Sequence, residues 1–369
     1  MNSNVQLSED IAEIHQSRIG NKEFQHWYRN RQFTRNIRDG NHYFNGPKKI
    51  SPPERHSPSS LLQCQRKSFY NQLNAPEETG DPNGIFWFGS RFEEDVILPF
   101  LQDVVTGEDT YVCNSLWVDF TVDTEIGELQ IKGATDPVIV DDNAEPLLLF
   151  EIKTKQTVSS LSEPNRHHKA QIHAYIQGLN EKYERDIRSA VILYGSRTSL
   201  KIKPFQIGFD DRFWNDVVVE WAKTHTEYRV DNELPPAAPE YDWECGFCSY
   251  KERCGKGESR HSDSRPTGLL PGFRDYPKEK LIDYFESHRD AKLTPILAWK
   301  FTDLVEKYDV YDWHCSRCGA RHDWQSVNPV ESDTELPSCP SCAGPGPPGW
   351  LSGPETKIQE QLEEDNGNA

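Results

Sequence analysis

Two short stretches carry groups that could break a phosphodiester: GATD, Gly133 to Asp136, and EIK, Glu151 to Lys153. Side chains alternate faces along a strand, so Glu151 and Lys153 fall on one side while Ile152 turns into the core. A paired strand can bring Asp136 beside them. Two carboxylates converging at a strand end offer hard oxygen ligands suited to Mg²⁺ or Mn²⁺. Such an ion polarises a phosphodiester, lowers the pKa of bound water and stabilises the leaving oxygen. Lys153, a cation beside the attacked phosphate, can orient the water and offset charge growing in the transition state. Alone, the tripeptide equally fits an exposed strand with a cross-strand ion pair, so its neighbours matter. Upstream, GSRFEE offers Glu93 or Glu94 as a further carboxylate. Downstream, QIHAY sets Gln171 and Tyr175 four apart on one helix face, where they could hold a backbone phosphate or a base.

The cysteines form a second constellation. CGFCSYKERC holds Cys245, Cys248 and Cys254, one short of a four-ligand metal site. HCSRCGARHDW and LPSCPSCAG hold Cys315, Cys318, Cys339 and Cys342 in the pattern C-x2-C-x20-C-x2-C. Two knuckles of paired thiolates closing on a tetrahedral Zn²⁺ make a zinc ribbon. His314 and His322 are surplus ligands. Trp313, Trp324, Arg317 and Arg321 could meet bases or phosphates, or the tryptophans could be the ribbon's small core. Cys113, with no partner pattern, is expected to be buried in the first strand.

At 369 residues the chain has length for about two domains. Hydrophobic residues make up 35%, but ten tryptophans, fourteen tyrosines and seventeen phenylalanines argue against wholesale disorder. The net charge of −18 would repel a polyanion in dilute salt. Because the acidic residues are spread along the chain, a halophilic protein from a high-salt cytosol is the favoured reading, and screening there leaves nucleic acid open as a partner. With no apolar run of about 18 residues and no signal-peptide pattern at the N-terminus, a cytoplasmic protein with no membrane association is expected. In a reducing compartment, close cysteine pairs bind metal more often than they form disulfides.

These groups need a scaffold. Residues 1–55 form a polar extension with one helix around Ile11 to Gln32. Residues 56–258 form the globular core. Phe92, Val96 and Phe100 mark a helix over Phe88 to Leu101. Three strand segments follow, YVCNSLWVDF, GELQIKGATDPVIV and LLLFEIKTK, then a helix around His167 to Leu179. SAVILYG and LKIKPFQIGF read as two more strands before a helix over Phe213 to Tyr228, giving a mixed α/β core. Residues 259–310 are a linker and helical segment, 311–345 the ribbon, and 346–369 an acidic disordered tail.

In order and spacing, GSRFEE, GATD, EIK and QIHAY resemble the RecB-like branch of the PD-(D/E)XK nucleases, which includes the CRISPR-associated exonucleases. The resemblance spans about residues 61 to 254 and implies a restriction-endonuclease-like core. In it Asp136, Glu151 and Glu93 bind Mg²⁺ or Mn²⁺, Lys153 assists the water, and Gln171 and Tyr175 position the strand. Glu93 stands where the family usually has a histidine. Members often carry a four-cysteine iron–sulfur cluster, which implies that Cys64, in the setting C-x-R-K-x-F-Y, joins Cys245, Cys248 and Cys254 around [4Fe–4S]. By ligand type Zn²⁺ suits the same four thiolates, and Cys64 as a plain buried residue is the remaining alternative. The implied activity is cleavage of single-stranded DNA or DNA ends in repair, recombination or CRISPR adaptation, with a helicase or repair protein as partner. Arg66, Lys67, Arg91 and Lys155 would meet phosphates. The rival readings are a non-cleaving nucleic-acid-binding module and a zinc-ribbon adaptor on a nuclease scaffold.

Overall fold

The computed structural model describes residues 24, 27–28, 30–31, 49–80, 83–258, 265–328, 336–344 and 347–367. Contacts group the chain into two units, Met1–Pro47 and Lys48–Ala369. In the first, the described residues are helical, and the rest of the expected helix over Ile11 to Gln32 lies outside the described residues.

The second unit is mixed α/β. Its main sheet has the order β2-β5-β6-β7-β8, built from β2 (Thr110–Cys113), β5 (Val138–Asp141), β6 (Pro146–Lys155), β7 (Ser189–Ser196) and β8 (Ile202–Gly208). β6 and β7 are parallel and the other neighbours antiparallel. A smaller sheet has the order β1-β4-β3, from β1 (Arg55–His56), β3 (Trp117–Thr124) and β4 (Gly127–Ala134), with β1 parallel to β4. Two expected strands are therefore each divided. YVCNSLWVDF supplies β2 to one sheet and β3 to the other, and GELQIKGATDPVIV supplies β4 and β5 in the same way. Pro137 lacks the N–H that an unbroken ladder would need there. Both changes of sheet occur at one corner, where Thr135 N–H donates to the Leu116 carbonyl (2.9 Å) and Leu116 N–H donates to Thr135 Oγ1 (2.9 Å).

α1 (Gln65–Gln72) follows β1, and α2 (Asn83–Phe92) opens a helical run that ends at Val105. The run continues through a π turn at Glu93–Ile97, α3 (Leu98–Phe100) and a second π turn at Leu101–Val105. The helix expected over Phe88 to Leu101 is present within this run, but its inward positions do not follow the Phe92, Val96, Phe100 spacing. Val96 is 42% exposed, whereas Phe92, Ile97 and Leu101 are buried against Ile139, Phe150, Ile152 and Leu193 of the main sheet. Each π turn inserts a residue, so the inward position after Phe92 falls five residues on. Phe92 fits because Gly195 of β7 has no side chain: a Cβ there would lie 2.2 Å from the ring.

α4 (Arg166–Tyr183) covers the opposite face through Ala170, Ile172, Ala174, Ile176 and Leu179, which join Val118, Phe120, Leu149 and Ile192 in the largest core. After α5 (Asp211–Phe213) and a π turn at Trp214–Val219 comes α6 (Glu220–Val230), whose Ala222 joins the same core. No helix among the described residues is long and apolar enough to cross a membrane.

The C-terminal part has its own core. α7 (Lys278–Ser287), α8 (Pro295–Lys300) and the sheet β10-β9-β11 (Arg321–His322, Trp313–Cys315, Leu351–Ser352) share one buried cluster containing Leu270, Tyr284, Leu297, Trp313 and Leu351. The tail, expected to be disordered from residue 346, is packed at its start, and α9 spans Thr356–Gly367. Gln359 is buried and its amide both donates to the Leu269 carbonyl (2.7 Å) and accepts from Leu269 N–H (2.9 Å). That pairing satisfies a buried peptide unit, a reason for the segment to be fixed.

Gly195→Ala should destabilise the fold by about 1–3 kcal/mol, since Phe92 must leave its site. Gly89→Ala, in open space on α2, should be neutral or stabilising by up to about 1 kcal/mol. Urea unfolding of the two variants checks the contrast, and equal destabilisation would contradict it.

Candidate functional site

The corner between the two sheets positions Asp136. Its carboxylate accepts a hydrogen bond from Ile152 N–H (2.7 Å), which draws GATD onto β6 beside EIK. As the alternation requires, Ile152 packs on the α2 side of the sheet while Glu151 and Lys153 share the other face and form an ion pair. Glu151 is 0% exposed. Neither of its oxygens receives a well-aligned hydrogen bond, and the Lys153 ammonium lies against Oε1.

The electrostatics follow from burial. Desolvation, with Asp136 adding repulsion, pushes Glu151 up to about 8, and desolvation with Asp136 and Glu94 pushes Glu93 up to about 7. Asp136 is also raised by burial, against the pull of Lys153 and the Ile152 N–H. For Lys153, burial acts downward, but Glu151, Asp136 and Glu93 outweigh it and its pKa rises. Glu93 therefore shares the field of Asp136 and Lys153, whereas Glu94 pairs with Arg91 (3.1 Å) at the surface. The three carboxylates are not closed to within 4.8 Å of one another; among the described residues two other groups are.

Gln171 and Tyr175 differ from the expectation that they touch substrate. Both are buried, at 6% and 4% exposure. Gln171 Nε2 donates to the Tyr175 hydroxyl (3.3 Å), and that hydroxyl donates to the Ala134 carbonyl (2.7 Å). They hold the corner that carries Asp136. Among the expected phosphate contacts, Arg66 donates to the Pro235 carbonyl (2.7 Å), Arg91 pairs with Glu94 and Asp95, and Lys155 donates to Asn165 (2.9 Å).

Cys64, Cys245, Cys248 and Cys254 all line one cavity of about 200 Å³, together with Lys67 and Tyr70. Burial raises the Cys248 thiol to about 11. The following loop is fixed by Glu78, whose carboxylate accepts from the N–H groups of Glu252 (2.6 Å) and Arg253 (2.7 Å).

The later set is tighter. The sulfurs of Cys315, Cys318, Cys339 and Cys342 all lie within 4.8 Å of one another and could hold a metal ion. Cys315 to Cys342 and Cys318 to Cys339 are each 3.8 Å apart. Gly349 leaves room for them, since a Cβ there would meet Cys342 Sγ at 2.6 Å. Trp313 is fully buried, its indole N–H donating to the carbonyls of Trp324 (2.9 Å) and Val327 (3.1 Å), so it serves the core. Arg317 and Arg321 are exposed. Cys113 is half-buried rather than buried.

A third group escaped the sequence. His167 Nδ1 or Nε2 and an oxygen each of Glu240 and Glu244 lie within 4.8 Å of one another. The 72 residues between His167 and Glu240 carry no spacing signal; only the turn after α6 brings them together.

No protein-family model matches the chain, and no curated protein matches it. Among solved structures, the crystal structure of SSO0001 is similar at 20% identity and a TM-score of 0.36, over 55% of this chain and 85% of that one. The function has to be argued from the chain's own residues.

Carboxylates raised in the folded state bind protons that the unfolded chain has released, so their contribution weakens stability as pH rises from about 5 to about 8. His56 and His225, held neutral by burial at about 3 and 4, act oppositely, losing stability as pH falls below about 6.5. The difference between wild type and Glu151→Gln isolates the carboxylate. The metal-free variant should be more stable than wild type by about 1–2 kcal/mol at pH 8 and unchanged near pH 5, read by thermal unfolding. For the late cysteine set, Cys339→Ser should abolish metal retention and shift Trp313 fluorescence, because Cys315 and Cys339 belong to the same core as Trp313. A metal content unchanged by that substitution would refute the assignment.

Proposed function

We propose that residues 56–258 form a PD-(D/E)XK nuclease core of the RecB-like type and that the protein is a Mg²⁺- or Mn²⁺-dependent deoxyribonuclease. The observation that carries this reading is the Asp136 carboxylate held on Ile152 N–H, beside Glu151 and Lys153 on one strand face. A fully buried, raised carboxylate whose one close donor is the Lys153 ammonium is a costly arrangement that a divalent cation would relieve. The residues therefore fit the ion, with Asp136 and Glu151 as ligands and Glu93 as a third.

When bound, the ion would polarise the phosphodiester and acidify a water. Lys153 would supply a permanently protonated ammonium at the edge of the carboxylate group, facing charge that grows as the water oxygen bonds to phosphorus and the ester oxygen leaves. Asp136 would be aimed by the Ile152 amide. Gln171 and Tyr175 would act as positioning residues through the Ala134 carbonyl.

The metal assignment at the late cysteine set rests on sulfur spacing. Tetrahedral Zn²⁺ with bonds of about 2.3 Å separates its sulfurs by about 3.8 Å, the separation found at Cys315/Cys342 and Cys318/Cys339. Structural Zn²⁺ in a C-terminal ribbon follows. In the set of Cys64, Cys245, Cys248 and Cys254, no three sulfurs lie within 4.8 Å of one another, although all four line one cavity. A [4Fe–4S] cluster there, with Zn²⁺ the alternative by ligand type, rests on the motif resemblance. DNA as substrate, and a place in repair, recombination or CRISPR adaptation, rest on the motif resemblance.

Anaerobically purified protein should cut end-labelled single-stranded DNA with Mn²⁺, at low and high KCl, and Lys153→Ala should lower the rate by about 100-fold or more. Equal rates for wild type and Lys153→Ala would sink the nuclease reading. Tyr175→Phe, which keeps the ring and removes the bond to Ala134, should lose activity less severely. The same preparation should contain about four irons and one zinc per chain.

A further inference from the structure

We propose that His167, Glu240 and Glu244 form a separate site for one divalent transition-metal cation, Mn²⁺ or Zn²⁺, tying the start of α4 to the turn that carries Cys245. His167 is the second residue of α4, and Glu240 and Glu244 flank the entry to the 3₁₀ turn Asp242–Phe247. Their ligand atoms fall within 4.8 Å of one another. Bonds of about 2.1 Å in an octahedron separate ligands by about 3.0 Å when adjacent and about 4.2 Å when opposite, so small side-chain adjustments close the set.

The second observation is the state of the oxygens. Glu240 and Glu244 are partly buried, and their Oε2 and Oε1 atoms are shut off from solvent without a well-aligned hydrogen bond, although Tyr241 N–H supports the Glu244 carboxylate. Buried polar atoms are otherwise almost always paired. Among the described residues, no lysine or arginine forms an ion pair with either carboxylate. Lys67 acts on Glu244 only through its field, Arg166 N–H reaches the other oxygen of Glu240 at 3.4 Å, and Tyr241 also engages Glu240. His167 Nδ1 stands 3.5 Å from Glu240 Oε2, too far for a good hydrogen bond. Among the described residues, two acidic side chains thus converge on an imidazole without a lysine or arginine ion pair to neutralise them.

The donor set selects the ion. An imidazole nitrogen beside two carboxylates disfavours Mg²⁺ and Ca²⁺, which take all-oxygen shells, and lacks the thiolates of soft-metal sites. The site therefore differs in chemistry from the carboxylate group at Glu151 and from both cysteine sets. His167 and Glu244 also line the cavity of the first cysteine set, so the ion would brace one wall of it.

The test counts Mn²⁺ bound to full-length, anaerobically purified protein by loss of the free-ion EPR signal. Using a Glu151→Gln background keeps the result independent of the nuclease reading. Adding Glu240→Gln and Glu244→Gln should remove one bound Mn²⁺ per chain, and His167→Asn alone should weaken that site at least 10-fold. If the double substitution does not fold, the His167→Asn titration decides. Unchanged stoichiometry in the double variant, or unchanged affinity in folded His167→Asn, would mean the three groups make only a local ion pair and would overturn the proposal.

Discussion

Everything at the candidate site depends on the corner where two neighbouring segments leave one sheet for the other. Thr135 and Leu116 bond to each other there through N–H, carbonyl and hydroxyl, so the two crossings cannot move independently. Asp136 is the next residue, and its carboxylate completes the corner by taking the Ile152 amide. One hydrogen bond thus serves structure and chemistry together. It satisfies a backbone donor on β6 and fixes the Asp136 carboxylate within the field of Lys153. Tyr175 adds a buried tie from α4 to Ala134 on the near side of the corner, which makes the helix a brace for the same few atoms. A side chain held by this many neighbours loses little further entropy when it binds a ligand.

Burial of three carboxylates around one ammonium is unfavourable as it stands. Desolvation raises all three, Asp136 adds repulsion to both Glu151 and Glu93, and Glu93 adds to Glu151. Lys153 offsets only part of this, because a single positive charge faces three acids. The fold keeps the arrangement by placing rigid layers on both sides. α4 covers Glu151, and the helical run beyond α2, locked by Phe92 against Gly195, fixes Glu93. The π turn beginning at Glu93 belongs to this tension: a regular α-helix would have turned a different residue toward the sheet after Phe92.

Some of this was legible in the sequence and some was not. Glu151 and Lys153 were assigned to one face because strand alternation is local, and the local rule held. The four late cysteines were legible for the same reason, since two knuckles define their own geometry. The division of two strand segments between sheets was not, because Leu116 and Thr135 are hydrogen-bonded across 19 residues and neither residue type announces a corner. The helix carrying Glu93 is legible in its spacing, but which of its residues meet the sheet is not, because helical periodicity assumes no inserted residue. Gln171 and Tyr175 were placed on one face correctly, but sequence spacing does not say whether a face looks inward or out. His167, Glu240 and Glu244 had no signal at all, since only the tertiary path after α6 unites them.

Buried polar bonds join the C-terminal module to this core. Arg253 is fully buried directly before Cys254. Its backbone N–H is held by Glu78, and its guanidinium donates to the carbonyls of Arg265, Thr267 and Gly268. The residue after Gly268 is Leu269, whose peptide group is gripped by Gln359 from the far end of the chain. A charge buried on carbonyl oxygens is costly to release, because the guanidinium would be left without acceptors. Anything that displaces the loop around Cys254 must therefore disturb Arg253, then the strand of chain from Arg265 to Leu269, and then the packing of α9. The first cysteine set and the late one are in this sense mechanically linked, through one arginine, even though their sulfurs belong to different cores.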